Sequence, residues 1–272
     1  MSDNNATIVT AFFDIGRGDW TPQKGLPHYL ERSTDTYIER FSHLLKLETD
    51  ITVFTSDDIS KKIKTLVGER KYKTNITSFD LSAFDGMREK IKEIQSKDSF
   101  TQSITPSQSK NPEYWNPDYV LVTNLKSYFT NLAIMNNYTE NEMVSWIDFG
   151  YCRSDKNIPS SQKWEYDFDP QKIHLFSYKD YDGKPITHII NDNDVYILGA
   201  KVVAHQENWS KMNMLMDLSH LKLRQIGYVD DDQGLWLLAY LLSPISFELH
   251  TIPDHQKGHD PFVLFNEFND TV

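Results

Sequence analysis

Three strand-like stretches in the first eighty residues constrain this chain most. Residues 7–14, 51–55 and 74–79 each read as a strand, and stretches of helical spacing separate them. Tyr37, Phe41, Leu44 and Leu45 recur at helical intervals behind Ser33 and Thr34 as N-cap. Ser56, Asp57 and Asp58 open a second helix that runs to Val67, and Met87, Ile91 and Ile94 line a third. Such β/α alternation predicts a mostly parallel sheet with crossover helices. The first run lacks polar alternation, as in a strand covered on both faces.

The stretch 142–151 (Glu-Met-Val-Ser-Trp-Ile-Asp-Phe-Gly-Tyr) gives that sheet its candidate chemistry. Val144, Trp146 and Ile147 suit a buried strand, and Asp148 falls at or just past its C-terminal edge. Ligands of open α/β sheets bind at that edge. A carboxylate there can hold a hard divalent cation against phosphate oxygens, and Gly150 leaves room for a close approach. On its own, Asp148 is better explained as the cap of a turn.

The 272 residues suit one large domain or two tightly fused halves. The net charge of −11 comes without a basic stripe, which argues against nucleic acid as a partner. An acidic chain still binds phosphates where a metal and a few local cations offset the charge. Cys152 is the single cysteine, so no intrachain disulfide forms, which fits a reducing cytosol. The N-terminus lacks a signal-peptide pattern, and no run reaches transmembrane length.

Farther along, residues 97–117 are polar and rich in Ser, Thr, Gln and Pro, and read as a long loop, either a lid or a disordered insertion. Residues 119–137 read as one helix. Residues 173–178 and 185–190 read as short strands, and 195–198 as a strand ending at Gly199. Helices are expected over 207–223 and 235–242, and a late strand over 246–251. The second half is therefore mixed, with antiparallel strands expected.

A second acidic feature, Asp230-Asp231-Asp232, precedes the apolar helix. Capping explains one of the three. Mutual repulsion raises at least one pKa, which suits a general base. His255 and His259 share an i, i+4 spacing that could reach a metal, although each is more simply a surface histidine. Asp148-Phe149-Gly150 also spells the kinase metal motif, but the glycine-rich loop, the Val-Ala-Ile-Lys strand and the His-Arg-Asp loop are all missing.

The opening Thr7-Ile8-Val9-Thr10-Ala11-Phe12-Phe13-Asp14-Ile15-Gly16-Arg17, the central Val144-Ser145-Trp146-Ile147-Asp148-Phe149-Gly150-Tyr151 and the late Asp231-Asp232-Gln233 together resemble the HtrL/YibB family. That family is associated with bacterial surface-polysaccharide gene clusters and looks like a branch of the GT-A glycosyltransferases. The resemblance implies a single GT-A-like domain over 1–272, with a Rossmann-like, mostly parallel central sheet and a mixed C-terminal half. Residues 1–150 would be the nucleotide-binding half and 151–272 the acceptor-binding half. It implies transfer of a sugar from a nucleotide-sugar donor, a UDP-sugar being the expected one, to a hydroxyl of a lipopolysaccharide, O-antigen or related glycan. The cofactor implied is Mn²⁺ or Mg²⁺. The location implied is cytoplasmic, with peripheral membrane attachment through the aromatic tail Phe262, Phe265 and Phe268 as its weakest element.

By the same resemblance, Asp148 matches the first aspartate of the Asp-x-Asp metal motif. Gly150 stands where the last should be, so one metal ligand is missing, and His255 or His259 would replace it. Thr10, Ala11, Phe12 and Thr55 would line the nucleoside pocket, and His205 lies in the strand that would line the sugar pocket. Arg17 and Lys126 would offset charge on the leaving diphosphate; Asp232, with Asp231 beside it, would deprotonate the acceptor hydroxyl if the stereochemistry inverts and would orient the sugar if it is retained. The departure at Gly150 keeps two alternatives in view: a non-catalytic scaffold of polysaccharide assembly and a metal-dependent phosphoesterase.

Overall fold

The computed structural model describes residues 6–163 and 166–252. In chain order it contains β1 (Thr7–Phe12), α1 (Thr34–Leu44), β2 (Ile51–Thr55), α2 (Asp57–Val67), β3 (Thr74–Ser78), α3 (Asp85–Gln95), α4 (Asp98–Thr101), α5 (Pro117–Asn124), α6 (Lys126–Met135), β4 (Met143–Ile147), β5 (Ile173–Ser177), α7 (Ile186–Asp192), β6 (Ile197–His205), α8 (Gln206–Gln225), α9 (Asp232–Leu242) and β7 (Phe247–Thr251).

The strands form one sheet in the order β3-β2-β1-β4-β6-β5-β7. The first four are mutually parallel. β6 runs antiparallel to both β4 and β5, and β7 returns parallel to β5. The chain is thus a single mixed α/β domain with a mostly parallel seven-stranded sheet. Both halves of the sequence contribute to that one sheet.

Alternation along the strands splits the core between its two faces. Val9, Phe54, Val144, Trp146 and Val202 face one layer, where α6, α8 and α9 pack. Ile8, Val53, Ile147 and Val203 face the other, with Phe41 and Leu44 of α1 and Ile59 and Ile63 of α2. Coverage on both faces is why β1, β2 and β4 read as near-continuous apolar runs. Ser33 Oγ accepts the Thr36 amide at the start of α1, as its N-cap position requires.

Four segments differ from their sequence pattern. Residues 185–190 form helix α7 rather than a strand; Pro185 immediately precedes its first turn, and a short apolar run fits either element. The helix expected over 119–137 breaks at Leu125 into α5 and α6, which places Lys126 at a helix start. β6 continues through Gly199 to His205, because its partners β4 and β5 extend that far. Residues 97–117 hold α4 and a 3-10 turn at Pro112–Tyr114, and they bury Phe100, Ile104 and Tyr114. Those anchors make the segment a packed wall. Among the described residues no helix is long and apolar enough to cross a membrane. His255, His259, Phe262, Phe265 and Phe268 lie outside the described residues.

Candidate active site

Strand order fixes where a ligand can enter. β1 has β2 on one side and β4 on the other, so the chain's crossovers diverge between β1 and β4. The gap outside the C-terminal ends of those strands is the usual ligand crevice of an open α/β sheet. A cavity of ≈ 340 Å³ opens there. That volume lies in the range of small-molecule sites.

Asp148 follows the last residue of β4, and its amide donates to Ala200 O at 3.0 Å. Its Oδ1 accepts from Trp146 Nε1 at 2.8 Å and sits 2.6 Å from Lys126 Nζ. Lys126, the first residue of α6, is buried. Its ammonium also donates to Gly199 O at 2.8 Å and to Asp232 Oδ2 at 3.0 Å. One ammonium thus joins the end of β4, the start of β6 and the start of α9. Burial alone would lower its pKa, but the carboxylates of Asp148 and Asp232 outweigh burial and hold it charged.

Asp231 is the N-cap of α9, its Oδ1 accepting the Gln233 amide at 3.0 Å. Asn124 Nδ2, at the end of α5, donates to Asp230 O at 3.0 Å and ties the acidic run to the helix beside Lys126. Asp230, Asp231 and Asp232 are all buried, and so is Glu113 on the 3-10 turn. Burial, together with neighbouring carboxyl groups, pushes Asp230 well up. Asp231 is raised to about 7 by burial and by Glu113, and Glu113 to about 7 by burial and by Asp232. Asp232 is raised by burial, and Lys126 pulls it partly back. Lys126 is the only ammonium that pairs with this group among the described residues, so carboxyl groups outnumber cations here.

The opposite charge collects on the rest of the cavity wall. Arg17, Arg32, Arg40 and Arg153 all line it, from four separate stretches of chain. None has a carboxylate within ion-pair distance among the described residues. The pKa of the Arg40 guanidinium is lowered first by burial and then by repulsion from Arg32, Arg153 and Arg17, so Arg40 stands within the field of the other three. Arg17 Nη1 donates to Tyr37 Oη at 2.7 Å, and its guanidinium lies 5.2 Å from the Trp20 ring and 5.8 Å from Tyr119. Arginines without carboxylate partners on a concave wall suit an anionic ligand.

The two glycines that matter here make room for side chains. A Cβ on Gly199 would collide with the Asp232 carboxylate and come within 2.9 Å of Gln233 Cγ. A Cβ on Gly150 would meet the Tyr37 ring, 2.7 Å from Cε1.

Of the residues named from sequence, Ala11, Phe12, Arg17, Lys126, Asp148, Gly150, Asp231 and Asp232 come together around this one cavity. Thr10 and Thr55 do not line it. Thr10 is buried within β1, and Thr55 Oγ1 donates to Phe12 O at 2.6 Å, supporting the strand end from behind. His205 pairs in register with Met143, at the far end of β4 from Asp148, and serves as the N-cap of α8. The strand that carries it reaches the cavity through Leu198, Gly199 and Ala200 instead. Sequence reading missed Arg32, Arg40, Arg153 and Glu113. Nothing local marks them, because the fold alone brings their segments together.

A divalent cation fits these residues on charge: Asp148 Oδ2 makes no hydrogen bond among the described residues, and the carboxyl groups exceed the cations.

The family model described as "Bacterial protein of unknown function (HtrL_YibB)" matches residues 4–267. Protein HtrL of Escherichia coli (strain K12) is 38% identical over 269 residues, which is 96% of this chain and 93% of that one. Among solved structures, mouse xyloside xylosyltransferase 1 in its apo form is similar at a TM-score of 0.42 and 9% identity, over 90% of this chain and 84% of that chain. The glycosyltransferase GlyE of Streptococcus pneumoniae TIGR4 is similar at a TM-score of 0.43 and 10% identity, over 93% of this chain and 46% of that chain. On the near full-length match of its sequence, the chain belongs to the HtrL/YibB family.

Proposed function

We propose that this protein is a glycosyltransferase that moves a sugar from a nucleotide-sugar donor to an acceptor hydroxyl. One observation carries the reading. A carboxylate at the end of a central strand and a carboxylate at the start of a helix meet on one buried lysine, in a cavity whose remaining wall holds four arginines with no carboxylate partner among the described residues. A diphosphate needs such cations, and a sugar hydroxyl needs such carboxylates.

The division of labour follows from the charges. The β1 end at Ala11 and Phe12 would receive the nucleoside. Asp148 would hold a Mn²⁺ or Mg²⁺ ion, which supplies positive charge to the phosphate oxygens when bound. Arg17, Arg40 and Arg153 would take the charge that grows on the leaving diphosphate as the bond from the anomeric carbon breaks. Asp232 is committed to Lys126, whereas Asp231, with a pKa near 7, is suited to accept the proton of the acceptor hydroxyl at neutral pH. The proton goes to Asp231, the hydroxyl oxygen bonds the anomeric carbon, and the nucleoside diphosphate departs. The surface-glycan acceptor rests on the family resemblance.

Calorimetric titration with nucleoside diphosphates, with and without Mn²⁺, tests this reading, alongside turnover of UDP-sugars. Saturable binding that Mn²⁺ tightens, and that Asp148→Ala removes, is the expected result. Absence of nucleotide binding under every condition would support the scaffold alternative. Steady cleavage of sugar phosphates, with no transfer to any acceptor, would make the protein a phosphoesterase.

A further inference from the structure

A second group of ligating side chains stands on the other half of the sheet. β5 and β7 pair in parallel, with His174 opposite Glu248 and Phe176 opposite His250. His174 Nδ1 lies 2.9 Å from His250 Nε2 and 3.5 Å from Glu248 Oε2. Two atoms bound to one Zn²⁺ at about 2.0–2.2 Å, at tetrahedral to square angles, lie roughly 3 Å apart. Two of the three pairs thus stand at or near that spacing, and one ligand atom from each of the three side chains lies within 4.8 Å of the others.

Protonation and surroundings agree with that use. His174 Nε2 lies 2.9 Å from Asp169 O, and a carbonyl can only accept, so Nε2 carries the proton. In the neutral ring this leaves Nδ1 bare and turned toward His250. A backbone carbonyl that fixes the tautomer of a histidine is the usual support of a metal-bound imidazole. His174 is wholly buried, and Phe168 and Phe176 pack on the two rings with centroids 4.7 Å and 5.3 Å away. Burial keeps His174 below its ordinary pKa; burial, His174 and Lys201 lower His250 to about 4. Both rings are therefore neutral at neutral pH; His250 Nε2, which donates to the bare His174 Nδ1, is freed to bind a cation when its proton shifts to Nδ1 of its own ring. Lys201 opposes a cation at His250, so the Glu248 carboxylate is the charge that makes binding favourable.

We propose that His174, His250 and Glu248 form a site for a borderline transition-metal ion of the Zn²⁺ type, clasping the edge strand β7 to β5. Two imidazoles and one carboxylate select Zn²⁺, Co²⁺ or Ni²⁺ over Mg²⁺ or Ca²⁺. The site lies two strands away from β4, so it is separate from the cavity at Asp148. Among the described residues β5 is the sole neighbour of β7 in the sheet, and an ion bridging the pair would hold that strand in place.

Titrating the full chain, stripped with chelator, with ZnCl₂ by calorimetry and with CoCl₂ by visible absorption tests the site. The expected result is one Zn²⁺ per chain, a Co²⁺ complex with visible d–d bands, and a melting temperature that rises with Zn²⁺ but not with Mg²⁺. His250→Gln and Glu248→Gln should each weaken Zn²⁺ binding on the order of tenfold or more. Glu248 is exposed, so its variant reports on the site even if a histidine variant fails to fold. The double variant His255→Ala/His259→Ala should bind Zn²⁺ as the unaltered chain does. No stoichiometric Zn²⁺ binding, equal binding in Glu248→Gln, or loss of binding in the tail variant would each overturn the proposal.

Discussion

Lys126 Nζ stands 2.6 Å from Asp148 Oδ1, and this contact joins two features that lie 22 residues apart in the sequence. The lysine side chain is 6% exposed and the aspartate 37%, so the pair has one dry partner and one that faces the cavity. Asp232, 4% exposed, holds the ammonium from the other side. A ligand or cation that takes Asp148 would leave Lys126 paired with Asp232, and the ammonium need never be stranded. The pair can therefore open at the cavity side without exposing a lone buried charge.

Replacing Lys126 tests that arrangement. Lys126→Met keeps the bulk but strands the Asp232 carboxylate in the protein interior. Removing one partner of a buried pair typically costs about 3–5 kcal/mol. Asp232 can escape part of that cost by taking up a proton, which its raised pKa already favours. Urea unfolding should show a clear loss of stability at pH 7.5 and a smaller one at pH 5.5. Equal losses at the two pH values would mean that Asp232 stays ionised without its lysine.

The unaltered chain should itself become less stable as pH rises toward neutrality. Asp231 and Glu113 have folded pKa values raised to about 7, above the ordinary carboxyl range. Between the ordinary value and 7, the unfolded chain has released these protons while the folded chain still holds them. Raising pH through that window therefore favours unfolding, and the contribution levels off above about 7. Melting curves from pH 5 to pH 8 should show the decline. Glu113→Gln removes one of these titrations and leaves those of Asp230, Asp231 and Asp232, so it should make the decline shallower and raise the midpoint at pH 8. A variant with the same pH slope as the parent would sink this assignment.

Much of this was legible in the sequence, for reasons that differ by residue. β1, β2 and β4 are covered on both faces, and that coverage writes continuous apolar runs into the chain. Asp148 could be placed because a strand that ends in a carboxylate announces its own edge. Asp231 and Asp232 stand out because three successive acids before an apolar helix exceed what capping requires. By contrast, Arg32, Arg40 and Arg153 lie on a loop before α1, on α1 itself and after β4, and each looks like an ordinary surface cation until the sheet gathers them. Glu113 was hidden by its polar segment. That segment is ordered by a few buried anchors, Phe100, Ile104 and Tyr114, too sparse to register as periodicity. His205 failed in the opposite way: the start of β6 does line the cavity, but its nine residues carry His205 to the other edge of the sheet.

Gly199 should tolerate no side chain. Its carbonyl accepts from Lys126, and its Cα faces the Asp232 carboxylate so closely that a Cβ would overlap it. Gly199→Ala must push either Asp232 or the start of β6 aside, and both moves break the contacts of Lys126. The variant should retain the fold, since β6 is held along its length by β4 and β5. Its affinity for nucleoside diphosphate plus Mn²⁺ should fall, together with any turnover. Titration of the purified variant checks this, and parent-like affinity would show that the Asp232 position is not needed for binding.

Arg40 separates ligand binding from stability. It lies among Arg17, Arg32 and Arg153 with no carboxylate partner among the described residues, and their repulsion already lowers its pKa. Such an arrangement costs the empty protein and is repaid only by an anion. Arg40→Gln relieves the repulsion, so the melting temperature should stay level or rise. The same change removes a charge-assisted contact worth about 1.5–3 kcal/mol, or on the order of ten- to a hundredfold in affinity for a diphosphate. That loss should shrink as salt is raised, because a screened guanidinium contributes less to begin with. Parallel melting curves and titrations with a nucleoside diphosphate at low and high NaCl read out both effects. Unchanged affinity, with a lowered melting temperature, would make Arg40 a structural residue and leave the anion site to the other three arginines.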